Sequence, residues 1–252
     1  MERINKYLAS CGVASRRESE KIILEGRVKV NNVVISNLAT MIDPDKDKVE
    51  VDGVILSKIS NYSYIMFYKP KGCVTTVKDD KGRKTIYDYL EKLNIPHLVP
   101  VGRLDYDTEG LLLLTNDGDL VYNLTHPSHE VPKTYLVKIE GEIPEHKLAQ
   151  LRKGVKIDGV LTKRARVKLI QYKDGISKLE ITIHEGRNRQ IRKMLEAVGY
   201  EVEFLKRIAV GNLKLGGLSR GGYRVLNDYE IDYLKKFWFY LIILNNFEVF
   251  FI

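Results

Sequence analysis

Cysteine is scarce in this chain of 252 residues: Cys11 and Cys73 are the only two, far apart. That leaves no disulfide framework and no zinc-ligand spacing, so a reduced, cytoplasmic protein is expected. The first residues, Met1-Glu2-Arg3-Ile4-Asn5-Lys6, lack the apolar core of a signal peptide. The longest apolar run, Phe237 to Leu244, is broken by Asn245, Asn246 and Glu248 before Val249 to Ile252. It is shorter than the roughly 20 residues of a spanning helix. Residues 237–252 are therefore read as an apolar tail packed on the body, with an aggregation-prone or lineage-specific extension as the alternative. No Walker A sequence and no Gly-x-Gly-x-x-Gly opens a helix, which argues against nucleotide-driven or dinucleotide chemistry. His126 and His129 form the only close histidine pair, without clustered carboxylates, so their segment reads as a loop and not a metal site. Internal repeats and low-complexity tracts are absent as well.

Acidic residues are in short supply in one region. Residues 161–224 hold fifteen Lys and Arg against six Asp and Glu, more than the whole net excess of +8. A solvated face would explain such a cluster, but its coincidence with the motifs below favours a phosphate-binding surface. With 44% hydrophobic residues the chain can build a proper core.

Residues 1–60 read as a small separate module. Ile4, Tyr7, Leu8 and Cys11 have helical spacing, and Gly12 can end that helix. Ser15-Arg16-Arg17-Glu18 has the form of a capping box opening a second helix, with Ile22 and Ile23 on its buried face and Gly26 as its stop. Val28-Lys29-Val30 and Val33-Val34-Ile35 flank Asn31-Asn32, a hairpin signal because asparagine tolerates positive φ. Lys48 to Val51 alternates as a later strand. Arg16, Arg17 and Lys21 can share a helical face, with Arg27 and Lys29 just beyond.

After a short joint at 61–64, residues 61–236 read as one α+β domain. Tyr64 to Tyr68 is a strand running into the turn-like Lys69-Pro70-Lys71-Gly72. Thr134 to Ile139 and Leu179 to Ile183 alternate as sheet strands. The lack of a regular βαβ rhythm argues against a doubly wound parallel sheet and for a mixed, mainly antiparallel one. In Gly102-Arg103-Leu104-Asp105-Tyr106-Asp107-Thr108-Glu109-Gly110, charged residues sit on a polar loop directly before four leucines. Such a loop is held rigidly by the apolar element behind it. Further on, Ile191, Met194, Leu195 and Val198 fall on one helical face, leaving Arg189, Arg192 and Lys193 on a basic one.

The Gly-Arg-Leu-Asp segment resembles the signature of pseudouridine synthases that act on ribosomal RNA. Lys133-Thr134-Tyr135 is similar to that family's second motif, and Glu185 to Met194 to its third. The module at 1–60 resembles the S4 RNA-binding domain through Arg3, Leu8, Gly12, Ser15, Arg16, Ile22, Gly26, Val28, Val30 and Asn31, though Asn32 stands where the family often has glycine. Thr125-His126-Pro127-Ser128-His129-Glu130-Val131 looks most like the B type among the enzymes for large-subunit RNA, with the enzyme for small-subunit RNA as runner-up. The resemblance stops near Asn227.

What the resemblance implies is specific. Asp105 is the expected catalytic carboxylate, salt-bridged by Arg192, with Tyr135 beneath the target uracil. The residues leave open whether Asp105 attacks the sugar, attacks the base, or removes a ribose proton. Arg103 would fill the gap left by the flipped uridine. Arg187, Arg189 and Gln190 would meet the RNA, and Leu205 would line the base pocket, although core packing explains it equally well. Asp107 and Glu109 are expected to cap or brace the loop, not to form a glycosidase-like pair. Arg3, Arg16, Arg17, Lys21, Arg27 and Lys29 would contact phosphates of structured RNA. The isomerisation needs no cofactor, and the expected protein is a monomer, off the membrane. Its expected partner is 23S ribosomal RNA, free or in an assembly intermediate. The alternatives are a synthase for 16S RNA and a non-catalytic assembly factor.

Overall fold

The structure is a computed structural model; it describes residues 1–77 and 79–247, with side chains up to residue 237. The chain divides into two compact units. The first comprises residues 1–63, 95–98 and 115–118, and the second the remainder.

The first unit opens with helices α1 (Ile4–Ser10) and α2 (Arg16–Leu24). Ser15 Oγ accepts from the Glu18 N–H at 3.2 Å, which is one arm of the expected capping box. In place of the second arm, the Glu18 carboxylate pairs with Lys21 at 2.9 Å. Four short strands follow, β1 (Val28–Val30), β2 (Val33–Val34), β3 (Val49–Val51) and β4 (Val54–Ile55), in the order β2-β1-β3-β4. Asn31 and Asn32 both adopt positive φ, 51° and 67°, so the β1–β2 turn has the twist a two-residue hairpin requires. Ile4, Leu8, Ile22, Ile23, Val28, Ile42 and Val49 close the core between helices and sheet. Residues 95–98 reach this unit from far along the chain; a Cβ at Gly12 would stand 3.0 Å from the Ile59 side chain and 3.1 Å from the His97 ring.

The second unit is α+β, built on one large sheet. Its strands are β5 (Tyr64–Lys69), β6 (Glu109–Thr115), β7 (Lys133–Glu140), β8 (Arg166–Lys173), β9 (Ile176–Ile183), β10 (Val202–Val210) and β11 (Tyr223–Val225). Their order is β8-β9-β7-β10-β6-β5-β11. Pairings are antiparallel around β7, while β10 and β6 run parallel. Strand β6 carries the four leucines, and every residue of it is buried. A strand flanked on both sides and covered on both faces reads as a continuous apolar run, with no alternation. At Gly110 the sheet closes tightly. Its φ is +115°, and a Cβ there would lie 2.2 Å from the Arg207 carbonyl oxygen, so no side chain fits where β6 meets β10.

Helices α3 (Gly118–Thr125), α4 (Glu145–Lys153), α5 (Gln190–Glu196) and α6 (Asp228–Phe247) complete the unit. Leu120 and Leu124 of α3 join Tyr64, Met66, Leu111, Leu113, Leu234 and Phe237 in one core. Helix α6 runs straight through the expected boundary at residue 236, and Phe237 is buried in that core. The composition changes at 236, but the first large apolar residue of the run completes a face begun at Leu234. The rest of the expected tail's packing lies outside the described side chains, and residues 248–252 lie outside the described residues. Among the described residues no helix is long and apolar enough to cross a membrane.

Candidate active site

Between β5 and β6 the chain makes the loop that carries Arg103 to Thr108, and five successive carbonyls on it have donors. Thr75 Oγ1 donates to Leu104 O at 2.9 Å, and Gly72 N to Tyr106 O at 2.9 Å. Lys69 Nζ donates to Asp105 O at 3.0 Å and to Thr108 O at 2.9 Å. Arg192 Nη2 donates to Asp107 O at 3.1 Å. Backbone that is satisfied this completely has few alternative conformations. The apolar element behind the loop is only part of what holds it.

Lys69 is the residue that sequence reasoning passed over. It ends β5 with 0% exposure, and its third donation goes to Pro70 O at 3.1 Å. Three ammonium protons thus meet three carbonyls. Burial lowers its pKa, with the carboxylates of Asp105 and Asp107 among the groups opposing that fall. The signal available was a lysine closing a strand whose other residues are all apolar or aromatic.

The loop borders a cavity of about 360 Å³. Among the residues lining it are Arg103, Asp105, Tyr135, Leu205, Arg187, Arg189 and Gln190. The sheet brings three of its lining side chains together by register. Tyr135 on β7 stands opposite Arg207 on β10, and Val137 opposite Leu205, so period-two alternation puts Tyr135, Leu205 and Arg207 on one side. Lys133, two residues before Tyr135, also lines the cavity, and burial followed by the nearby Arg207 charge brings its pKa down to about 8.

This shift has a consequence for stability. Below pH 8 Lys133 is protonated both folded and unfolded, and its charge is buried at a cost. Between about 8 and the ordinary value of 10.5 the unfolded chain binds more protons than the folded one, so stability rises with pH. Replacing Lys133 by Met is expected to remove that rise and to increase the melting temperature at pH 7. Thermal melts between pH 7 and 10 check it; a wild-type slope retained in the variant would refute the assignment.

Three carboxylates line the cavity: Asp105, Glu130 and Glu185. Glu130 is paired with Lys163. Glu185 accepts from Lys163 N, Arg187 Nε and Gln190 Nε2. Asp105 alone has no side-chain hydrogen bond or ion pair among the described residues. It lies instead in the field of Lys69, Arg189 and Arg192.

The expected Arg192–Asp105 salt bridge is not what the structure holds. Arg192 pairs with Asp107, its Nη2 3.2 Å from Oδ2, and its Nη1 donates to Val202 O at 3.0 Å. Arg189 makes a two-pronged contact with the same carboxylate at 3.1 and 3.0 Å. The two aspartates lie two residues apart on a turn closed by Thr108 N donating to Asp105 O at 3.1 Å. That turn presents Asp107, carboxylate and carbonyl together, to α5. Burial alone would raise the Asp107 carboxyl, but the Arg189 hydrogen bonds and the charges of Arg192 and Arg189 outweigh it and hold the pKa below the usual range. The bracing role expected of Asp107 is thus seen in its contacts. Glu109 is also a brace, accepting from Tyr68 Oη at 2.6 Å and pairing with Arg220 at 3.0 Å.

Other expected RNA contacts are spent internally. Arg187 donates to the carbonyls of Val160 and Leu161 at 3.2 and 2.9 Å, holding a small hairpin. Gln190 is buried, accepting from Arg187 N at 3.0 Å and donating to Glu185 at 2.6 Å. The family resemblance implied a ligand contact, but an amide at the first position of a helix is as readily used to close the loop before it. Arg189 is tied to Asp107 as described. Arg103, by contrast, is exposed at the cavity edge with no hydrogen bond or ion pair among the described residues. In the first unit, Arg3, Arg16, Arg17 and Lys29 are exposed, and Lys21 is exposed beside Glu18. Arg27 is the exception: Asp52 and Glu25 hold its guanidinium, each at 3.0 Å, because β1 and the β3–β4 turn place opposite charges side by side.

Asp107→Asn is expected to lower kcat about ten-fold by loosening the α5 clamp, while the KM for RNA stays level or falls as Arg189 is released toward phosphate. Steady-state kinetics check this, and an unchanged kcat would show the clamp to be irrelevant to turnover.

A family profile described as RNA pseudouridylate synthase matches residues 63–197, and an S4 domain profile matches residues 2–47. The ribosomal large subunit pseudouridine synthase B of Bacillus subtilis is 44% identical over 93% of this chain and 96% of its own length. The protein of that name from Haemophilus influenzae is 40% identical over 93% of this chain and 67% of its own length. A crystal structure of a pseudouridylate synthase matches with a TM-score of 0.66 at 32% identity, covering 93% of this chain and 100% of the other. On these matches, and on the two profiles met in order along the chain, the protein belongs to the RNA pseudouridylate synthase family, in a form that carries an S4 domain ahead of the synthase domain.

Proposed function

We propose that this protein isomerises one uridine of 23S ribosomal RNA to pseudouridine, with Asp105 as the catalytic carboxylate. The observation that carries the reading is the state of the cavity's carboxylates: among the described residues Glu130 and Glu185 are committed to partners, and the Asp105 side chain is not. A group that must meet a substrate has to be held in place without being consumed by the protein, and here the backbone is pinned while the carboxylate is left available.

The reaction breaks the N-glycosidic bond, turns the uracil, and joins it through carbon. Substrate and product are isomers: C5 gives up its hydrogen to solvent as it bonds to the sugar, and N1 takes up a proton, so no redox partner or cofactor enters the balance. Tyr135 lies against the uracil, offering a ring to stack and a hydroxyl within the cavity. Leu205 closes the apolar side. Arg103 enters the space vacated by the flipped nucleotide and holds its phosphate. Arg192 contributes positive potential to Asp105 while its hydrogen bonds fix the loop through Asp107. The choice of large-subunit RNA rests on the relatives from B. subtilis and H. influenzae, whose names specify it. Exposed Arg3, Arg16, Arg17 and Lys29 of the S4 domain bind phosphates of structured RNA. The protein acts as a cytoplasmic monomer.

The test is pseudouridine mapping of ribosomal RNA from cells lacking the gene, complemented with wild type or Asp105→Asn. One large-subunit site lost, and restored by wild type alone, is the expected result. Loss of a small-subunit site would overturn the choice of RNA, and an unchanged map would overturn the reading as a whole.

A further inference from the structure

The Thr125-to-Val131 segment has a feature that the proposed reaction does not use. Tyr122, in the last turn of α3, is 54% exposed, and His126 is exposed beside it. Their ring centroids are 4.9 Å apart. His129 stands edge-on to Tyr122 at 5.6 Å and 5.4 Å from His126. The side chains that α3 gives to the core are others, Leu120 and Leu124.

The cluster is prefolded. His126 N donates to Tyr122 O at 2.9 Å, continuing the helix by one bond. His126 Nδ1 lies 2.6 Å from Ser128 Oγ, and the Ser128 N–H donates to that same nitrogen at 3.3 Å. His129 Nδ1 meets Asn123 O at 2.8 Å. Pro127 sets the short turn between them. Rings fixed in this way lose little conformational freedom when something stacks on them.

Two uses for such a group can be set aside on chemistry. A metal site would need a further ligand, and among the described residues no three metal-ligating side chains come together. A fold-stabilising cluster would be buried, whereas Tyr122 and His126 face solvent. What remains is planar, partly polar surface, which suits a nucleobase. Its position agrees. Thr125, His126 and Pro127 line the same cavity as Asp105 and Tyr135, and exposed Arg103 lines it too.

We propose that Tyr122 and His126 form a second base-binding site, a stacking surface for an unpaired nucleotide next to the target uridine. The inference rests on the RNA-modification reading. A uridine leaves its stack only if its neighbours are held apart, and an outside ring that takes one neighbour's face stabilises the opened strand. Stacking is tolerant of base identity, so this surface contributes affinity and register to recognition, with little base selectivity.

Two measurements test it. The first is tritium release from 23S RNA transcribed with [5-³H]uridine. Tyr122→Ala with His126→Ala is expected to raise KM at least about ten-fold, within the range of one lost base stack, with kcat little changed. Tyr122→Phe with His126→Phe keeps both rings and is expected to keep KM. Ser128→Ala removes the hydroxyl contact to His126, keeps the Ser128 N–H contact and both rings, and is expected to keep KM near wild type, separating a loosened turn from a lost stack. A wild-type KM in the alanine pair would overturn the proposal, as would an equal rise in the phenylalanine pair. The second is fluorescence of a short single-stranded RNA carrying 2-aminopurine. Quenching by wild type and the phenylalanine pair, but not by the alanine pair, supports the surface. Quenching by the alanine pair, or none by wild type, sinks it. Quenching without tritium release by wild type would instead refute the modification reading and leave the stacking surface standing.

Discussion

Asp105→Asn is expected to reduce pseudouridine formation by at least about a thousand-fold while RNA affinity stays within a few-fold of wild type. The magnitude follows from removing the one group that reacts, whose loss neighbouring residues cannot make good. Affinity should hold because Asp105 makes no contact that shapes the site: its side chain has no hydrogen bond or ion pair among the described residues, and its backbone carbonyl, bonded to Lys69 Nζ and Thr108 N, is unchanged by the substitution. Asparagine also keeps the volume of the side chain. The comparison requires tritium release and RNA binding measured on one preparation. Turnover surviving at a tenth of wild type would exclude Asp105 as the reacting carboxylate. A parallel loss of binding would instead mean that its charge organises the site.

The second large effect is expected at Lys69. Lys69→Met should destabilise the protein by about 3 kcal/mol and lower kcat about a hundred-fold. On stability, the substitution strips a donor from three carbonyls, those of Pro70, Asp105 and Thr108. Asp105 O keeps the Thr108 N–H and Pro70 O keeps the Cys73 thiol, so the cost is that of three hydrogen bonds from a charged donor, roughly 1.5–3 kcal/mol each, and relief from burying an ammonium offsets part of the sum. On rate, two of those carbonyls belong to the loop that carries Asp105. A shift of about 1 Å in a reacting group is enough for a hundred-fold loss. Lys69→Arg is not expected to rescue either property, because a flat guanidinium cannot place donors as an ammonium does. Urea unfolding followed by circular dichroism gives the first quantity and single-turnover kinetics the second. A variant that loses stability yet keeps kcat would show that the lysine supports the fold and not the alignment of Asp105.

Both predictions concern one loop, and they differ in how far the sequence announces them. Asp105 is conspicuous because a carboxylate in Gly-Arg-Leu-Asp stands shortly before four leucines. Lys69 sits in a stretch that reads as an ordinary turn, and its role depends on segments thirty-six and thirty-nine residues away. Asp107 belongs to the same class. Its partners Arg189 and Arg192 lie more than eighty residues further on. In the sequence, Arg192 has two aspartates to choose between, one on each side of Tyr106, and nothing local says which of them faces α5.

The elements themselves were legible where a short-range pattern encodes them. Alternation marked β7 and β9, the Asn31-Asn32 pair marked its hairpin, and the helical spacing of Ile191, Met194 and Leu195 marked α5. These are properties of residues within one or two turns of each other, and the chain expresses them before it closes. Domain order and family followed from motifs of the same local kind. Tertiary structure decided the rest: that residues 95–98 return to the first unit, that α6 crosses the expected boundary at 236, and that Arg187, Gln190 and Arg27 are consumed by partners inside the protein. A charged side chain looks equally suited to RNA or to a neighbouring carboxylate until the neighbour is known. Which it meets depends on sheet register and loop path, set by long-range packing, and so the sequence determined which chemistry this protein carries, while the fold determined which of its charges remain free to perform it.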